Sequence, residues 1–213
     1  MKTEELVTML ATGGAAVPSR AAANRYALAM GWGAFAATLL MALTLGVRPD
    51  IAEAALLPMF WAKVGYAGAL TAGSLIAAMR LSRPGAALAA APNLLAAAVI
   101  AMWALAALAL GRAPRAQWEQ LLLGDTWRTC PFLIAMLSAP VLAAVLWAMK
   151  GLAPTRLRLA GGAAGLLAGT TGALVYSLHC PELAAPFLGV WYLIGMLIPA
   201  AAGALLGPRL LRW

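Results

Sequence analysis

Charge is scarce in this chain of 213 residues: Lys, Arg, Asp and Glu make up 10% of it, where soluble domains carry roughly 25%. Cysteine occurs twice and histidine once, and only seven residues are acidic. One histidine excludes a paired-histidine metal motif, and two cysteines are too few for a disulfide scaffold. No Walker sequence, nucleophile elbow or cofactor-binding fingerprint is present. No acidic residue interrupts the long apolar runs, which removes the intramembrane carboxylates that ion-coupled transporters use.

What fills the chain instead is apolar surface. Hydrophobic residues reach 64%, more than one soluble core of this size can hide. Several stretches approach the roughly 20 apolar residues that cross a bilayer. The expected fold is therefore all-α: a polytopic membrane protein with a six-helix transmembrane bundle. The formal charge of +8 is spread singly or in pairs beside the apolar runs, as topology determinants are. No basic stripe with interleaved aromatics supports nucleic-acid binding.

In chain order, residues 1–25 read as a cytoplasmic N-terminal segment. Thr3 can N-cap a short helix with Glu4 and Glu5 in its first turn and Gly13-Gly14 at its end. Leu6, Val7, Met9 and Leu10 give it an apolar face, suited to the membrane surface or to a soluble partner. Six spans follow over residues 26–206, at about 26–45, 56–79, 91–110, 131–149, 159–178 and 186–206, then a tail at 207–213. The first run is long enough to be a retained anchor rather than a cleaved signal. A short interfacial helix is expected over Pro114–Leu123, ended by Gly124, and a kink at Pro140. Gly161, Gly165 and Gly169 lie four apart in span five, the spacing of close helix packing.

Lys and Arg set the orientation. Lys2, Arg20, Arg25, Arg80, Arg83, Lys150, Arg156, Arg158, Arg209 and Arg212 fall on one side, ten against the four of Arg48, Arg112, Arg115 and Arg128. The positive-inside rule then puts both termini in the cytoplasm. Cys130 heads span four and Cys180 follows span five, so both lie at the outer face, each followed by proline. Lys63 sits near the outer end of span two, where it either snorkels to the interface or serves a functional site.

Three readings of the cysteine pair stand open: inert buried thiols, a structural disulfide, or a redox or soft-metal switch in which Cys130 and Cys180 are the metal ligands. A helix start favours thiolate at Cys130, whereas Cys180 lies past a helix end beside Glu182. Cys130 is thus the expected more reactive sulfur, with Lys63 favouring thiolate at whichever it approaches. His179, adjoining Cys180, is either solvated or a third ligand.

Several segments together resemble the NrsF family of bacterial membrane anti-sigma factors. They are Met1-Lys2-Thr3-Glu4-Glu5-Leu6-Val7, Arg48-Pro49-Asp50, Phe60-Trp61-Ala62-Lys63 and Arg80-Leu81-Ser82-Arg83-Pro84-Gly85. Trp127-Arg128-Thr129-Cys130, His179-Cys180-Pro181-Glu182 and Gly207-Pro208-Arg209-Leu210-Leu211-Arg212-Trp213 complete the set. The resemblance implies a multi-pass protein of the bacterial inner membrane that holds an extracytoplasmic-function sigma factor and releases it under oxidant or heavy-metal stress. It also implies that Cys130 and Cys180 are the family cysteines and that the N-terminal segment binds the sigma factor. Two competing functions remain: a small transporter or efflux component for a metal or thiol-reactive solute, and a periplasmic thiol oxidoreductase. Solute flux in vesicles would mark the first and a quinone or disulfide partner the second.

Overall fold

Helices that carry almost no side chain along one stripe set the packing of this protein. The computed structural model describes residues 3–13 and 21–212. In chain order the elements are α1 (Thr3–Gly13), α2 (Ala21–Thr44), the short α3 (Ile51–Ala54), α4 (Pro58–Leu81) and α5 (Ala91–Arg112). After a 3₁₀ turn at Arg115–Gln117 come α6 (Trp118–Leu123), α7 (Cys130–Lys150), α8 (Leu157–Tyr176) and α9 (Ala185–Phe187). A π-helical turn at Leu188–Tyr192 joins α9 to α10 (Leu193–Leu210). No strand occurs among the described residues.

Six of these helices are long and apolar enough to cross a membrane: α2, α4, α5, α7, α8 and the continuous run Ala185–Leu210. They match the six runs expected from the sequence to within two residues at each boundary, apart from two larger differences. The first helix begins at Ala21 and takes in Arg25, and the last continues helical to Leu210, past Gly207 and Pro208. The prolines at 58, 92 and 131 all stand in the first turn of a helix, where a missing N–H costs no bond. The expected short helix after Pro114 forms as the 3₁₀ turn and α6, and stops at Gly124, whose φ of +53° suits glycine. Gly14 lies outside the described residues.

α8 is the centre, packed on α10, α7 and α4, with α2 lying on α7 and α5 on α4. A β-carbon added at Gly161, Gly165 or Gly169 would strike the backbone of Gly203, Pro199 or Met196 of α10, and one at Gly203 or Gly207 would strike α8. The two backbones therefore touch along this seam, which is what small residues at four-residue spacing permit. Gly172 performs the same service against Ile134 and Ser138 of α7. By contrast α2 and α5 turn large apolar side chains outward, including Trp32, Leu43, Ile100 and Trp103, a surface suited to lipid and not to water.

Several polar side chains inside the bundle are bonded to one another or to backbone, the Tyr66 and Tyr192 hydroxyls being exceptions. The Tyr26 hydroxyl and Ser82 Oγ lie 2.6 Å apart, Ser74 Oγ and Thr170 Oγ1 3.1 Å apart, and Ser138 Oγ donates to the carbonyl of Ile134. The second turn of α2 thus meets the end of α4, and Gly207 of α10 meets Leu157 at the start of α8. Both outer helices of the chain consequently have their free ends at the same end of the bundle.

The seam yields a stability prediction. Gly165→Ala should cost about 2 kcal/mol or more through backbone overlap, read as a Tm several degrees lower by circular dichroism in detergent. Gly68→Ala, with no atom within 4 Å of the added carbon, should leave Tm unchanged or raise it.

Candidate functional site

At the opposite end of the bundle, Cys130 is the first residue of α7 and Cys180 lies four residues beyond the end of α8. Both are free, fully buried thiols. Their sulfurs face one another within hydrogen-bonding reach, and the Tyr176 hydroxyl adjoins both. Local backbone bonds bring them there: Cys130 N–H donates to the carbonyl of Thr126, and Cys180 N–H to that of Tyr176, each at 2.9 Å.

Lys63 enters from the first turns of α4 and is completely buried. Its Nζ donates to the Cys180 carbonyl at 2.8 Å and the Glu182 carbonyl at 3.0 Å, and stands 5.1 Å from the centre of the Tyr192 ring. This lysine does not snorkel. A buried ammonium without a partner costs several kcal/mol, and among the described residues no carboxylate makes a salt bridge with it. The compensating groups are two carbonyls, an aromatic face and the adjoining sulfurs.

Arg48, itself buried, reaches the same loop. Its Nη1 donates to the Cys180 carbonyl at 3.3 Å, its backbone N–H to the Leu178 carbonyl at 3.1 Å, and its Nε and Nη2 grip Asp50 at 2.7 and 2.6 Å. The guanidinium holds the exposed Asp50 carboxyl below the usual carboxylate range. In the sequence Arg48 counts toward the charge balance and belongs to the Arg48-Pro49-Asp50 segment; the Arg-x-Asp spacing is itself a signal, because such a pair can close in a tight bidentate turn.

The electrostatics differ from the expectation that Cys130 is the readier thiolate. Hydrogen bonding from the Cys130 thiol, then the charge of Lys63, hold Cys180 below the ordinary thiol range, against the opposing effect of burial. The Glu182 carboxylate, expected to repel a thiolate at Cys180, is turned away from it. Asp125 N–H donates to Glu182 Oε1 at 2.8 Å and Thr126 Oγ1 at 3.4 Å, while the Glu182 backbone N–H is directed at the Cys180 sulfur.

His179 is half-buried, with Nδ1 2.9 Å from the Gly46 carbonyl and its ring against Tyr176 at 5.7 Å. That bond assigns the proton to Nδ1. Among the described residues no three of His, Cys, Asp and Glu cluster as a metal site, so a Cys/Cys/His triad is not assembled. Tyr192, on the π turn, was read only as part of an apolar span; its buried hydroxyl lies beside Cys180 without a conventional hydrogen-bond partner. Trp191 of the same turn donates to the Leu122 carbonyl at 2.8 Å and packs on Trp127 at 5.1 Å, fastening α6 over the site. On α1, Leu6 and Val7 are exposed; the Leu10 side chain lies outside the described set.

Comparison with known proteins follows the same line. The family described as "Negative regulator of sigma F", NrsF, matches residues 10–213. A "Probable anti-sigma-F factor NrsF" of Azospira oryzae is 62% identical over the full length of both chains. The "Anti-sigma-F factor NrsF" of Caulobacter vibrioides is 40% identical, again over the whole of each. No solved structure matches. A match spanning nearly the whole chain, with two full-length relatives of this kind, places the protein in the NrsF family, whose members are regulators and not enzymes.

Proposed function

We propose that this protein is an inner-membrane anti-sigma factor that holds an extracytoplasmic-function sigma factor at the cytoplasmic face. It releases that factor when the outward-facing thiol pair reacts with an oxidant or a soft metal ion. The observation that carries the reading is the meeting of two free sulfurs beside a buried lysine. The names of the two relatives support the sigma-factor half of it. The excess of Lys and Arg on the side of both termini supports the orientation.

The chemistry follows from the site. A Cys180 thiolate attacks the terminal oxygen of a hydroperoxide, forming a sulfenic acid and expelling alkoxide. The Cys130 thiol then attacks that sulfur, a disulfide forms and water leaves. Two electrons pass from the sulfurs to the peroxide. A thiophilic cation would displace the thiol protons instead. With no third His, Cys, Asp or Glu clustered with the sulfurs among the described residues, the site suits an ion satisfied by two-sulfur coordination. Reaction at either sulfur alters the loop between α8 and α10, and release requires the two thiol states to differ in affinity for the sigma factor. On the cytoplasmic side, Leu6 and Val7, with Leu10 on the same helix, form the docking face of α1.

Affinity purification from native membranes should recover a sigma factor with the reduced protein and lose it after peroxide treatment. Recovery of no sigma factor in either state would overturn the reading. Replacing both cysteines by serine should abolish induction by oxidants and leave basal repression intact in a reporter strain. For the thiols themselves, a depressed Cys180 titration means that thiolate persists as pH falls below the ordinary thiol value of about 8.5. At pH 7 iodoacetamide should therefore alkylate Cys180 at least tenfold faster than Cys130. Lys63→Met should move the midpoint of the Cys180 labelling profile upward, as followed by peptide mass spectrometry.

A further inference from the structure

Both sulfurs are fully buried, yet a sensor must admit its reagent. The segments that carry them are joined to each other at one short place. The turn Gly124-Asp125-Thr126 ends α6, and Glu182, two residues after Cys180, places its carboxylate in that turn. Gly124 makes the approach possible: at φ +53° a β-carbon there would sit 2.7 Å from the Glu182 carboxylate. Thr126 serves both sides at once. Its hydroxyl faces Glu182 and its carbonyl accepts the Cys130 N–H. The loop bearing Cys180 is thus pinned from one side by Lys63 and Arg48 through backbone carbonyls. From the other side it is pinned by one carboxylate, to the very turn that leads into Cys130.

We infer that Glu182 and the Gly124–Thr126 turn form a latch that sets which reagents reach the thiol pair, admitting small oxidants and excluding bulky ones. The inference rests on the sensing role proposed above and adds its selectivity filter. The latch is the weakest of the restraints on the loop: Glu182 is only half-buried and the partner turn is partly exposed, so it opens without disturbing Lys63. Closed, it keeps the sulfurs opposed; open, it exposes the end of the bundle at which they meet. Trp191 and Trp127 hold α6 in place through either state.

The test uses the full chain in detergent or nanodiscs and two thiol reagents, methyl methanethiosulfonate as the small probe and a polyethylene-glycol maleimide as the bulky one. In the unaltered protein the small probe should modify the cysteines and the bulky one should lag at least a hundredfold. Glu182→Ala and Gly124→Ala, which break the latch from opposite sides, should each raise bulky-probe labelling at least tenfold while changing small-probe labelling much less. Glu53→Ala, which removes an acidic residue that forms no part of the latch, should change neither. Equal rates for both probes in the unaltered protein would overturn the inference, as would a bulky-probe rate unmoved by either latch variant. Hydrogen exchange in the unaltered protein provides a check that needs no variant: the Asp125 amide should be protected, and exchange at the unstructured rate would overturn the latch. These readouts need no sigma factor, so they stand or fall apart from the purification experiment.

Discussion

A single lysine side chain organises the end of the bundle at which the two sulfurs meet. Lys63 is buried to completeness among helices, and the surrounding chain is arranged around what that charge requires. Its two hydrogen bonds fix the carbonyls on either side of Pro181, which determines where the Cys180 sulfur lies. Tyr192 presents its ring to the charge, and that placement depends on the π-helical turn, whose extra residue rotates Trp191 and Tyr192 relative to a regular helix. Arg48 adds a second hold on the same loop through the Cys180 and Leu178 carbonyls.

The sequence carried most of the bundle. Long apolar runs broken by Pro, Gly and paired basic residues were enough to place six helices, because a helix that long and that apolar leaves few alternatives for its backbone polar groups. The glycine spacing of α8 also pointed to close packing, since only glycine allows two helix backbones to touch. At the candidate site, the matching Cys-Pro contexts placed both thiols at one depth, and the sulfurs do meet. The direction of each side chain was not legible. Glu182 adjoins Cys180 in sequence, and proximity in sequence suggested repulsion, but its carboxylate turns toward a segment nearly sixty residues away. Local helix-end effects favoured Cys130, whereas the hydrogen bond from the Cys130 thiol, and after it the Lys63 side chain of α4, favour thiolate at Cys180. Long-range partners of this kind leave no periodic trace.

The family name speaks of a sigma factor, while the paired sulfurs lie at the end of the bundle away from the Tyr26–Ser82 contact. The polar bridges inside the bundle, such as Ser74 with Thr170, are few and lie between helices that are otherwise smooth.

Cys180 lies on the connection between α8 and the helix that becomes α10, and those two helices meet without side chains between them over most of their length. In ordinary cores a displacement is absorbed by rotamer changes within a few ångströms of its origin. Here there are no rotamers in the seam to absorb it. The contact runs from Gly169 against Met196 down to Gly207 against Leu157, so the two helices fit together only as a backbone-to-backbone pair.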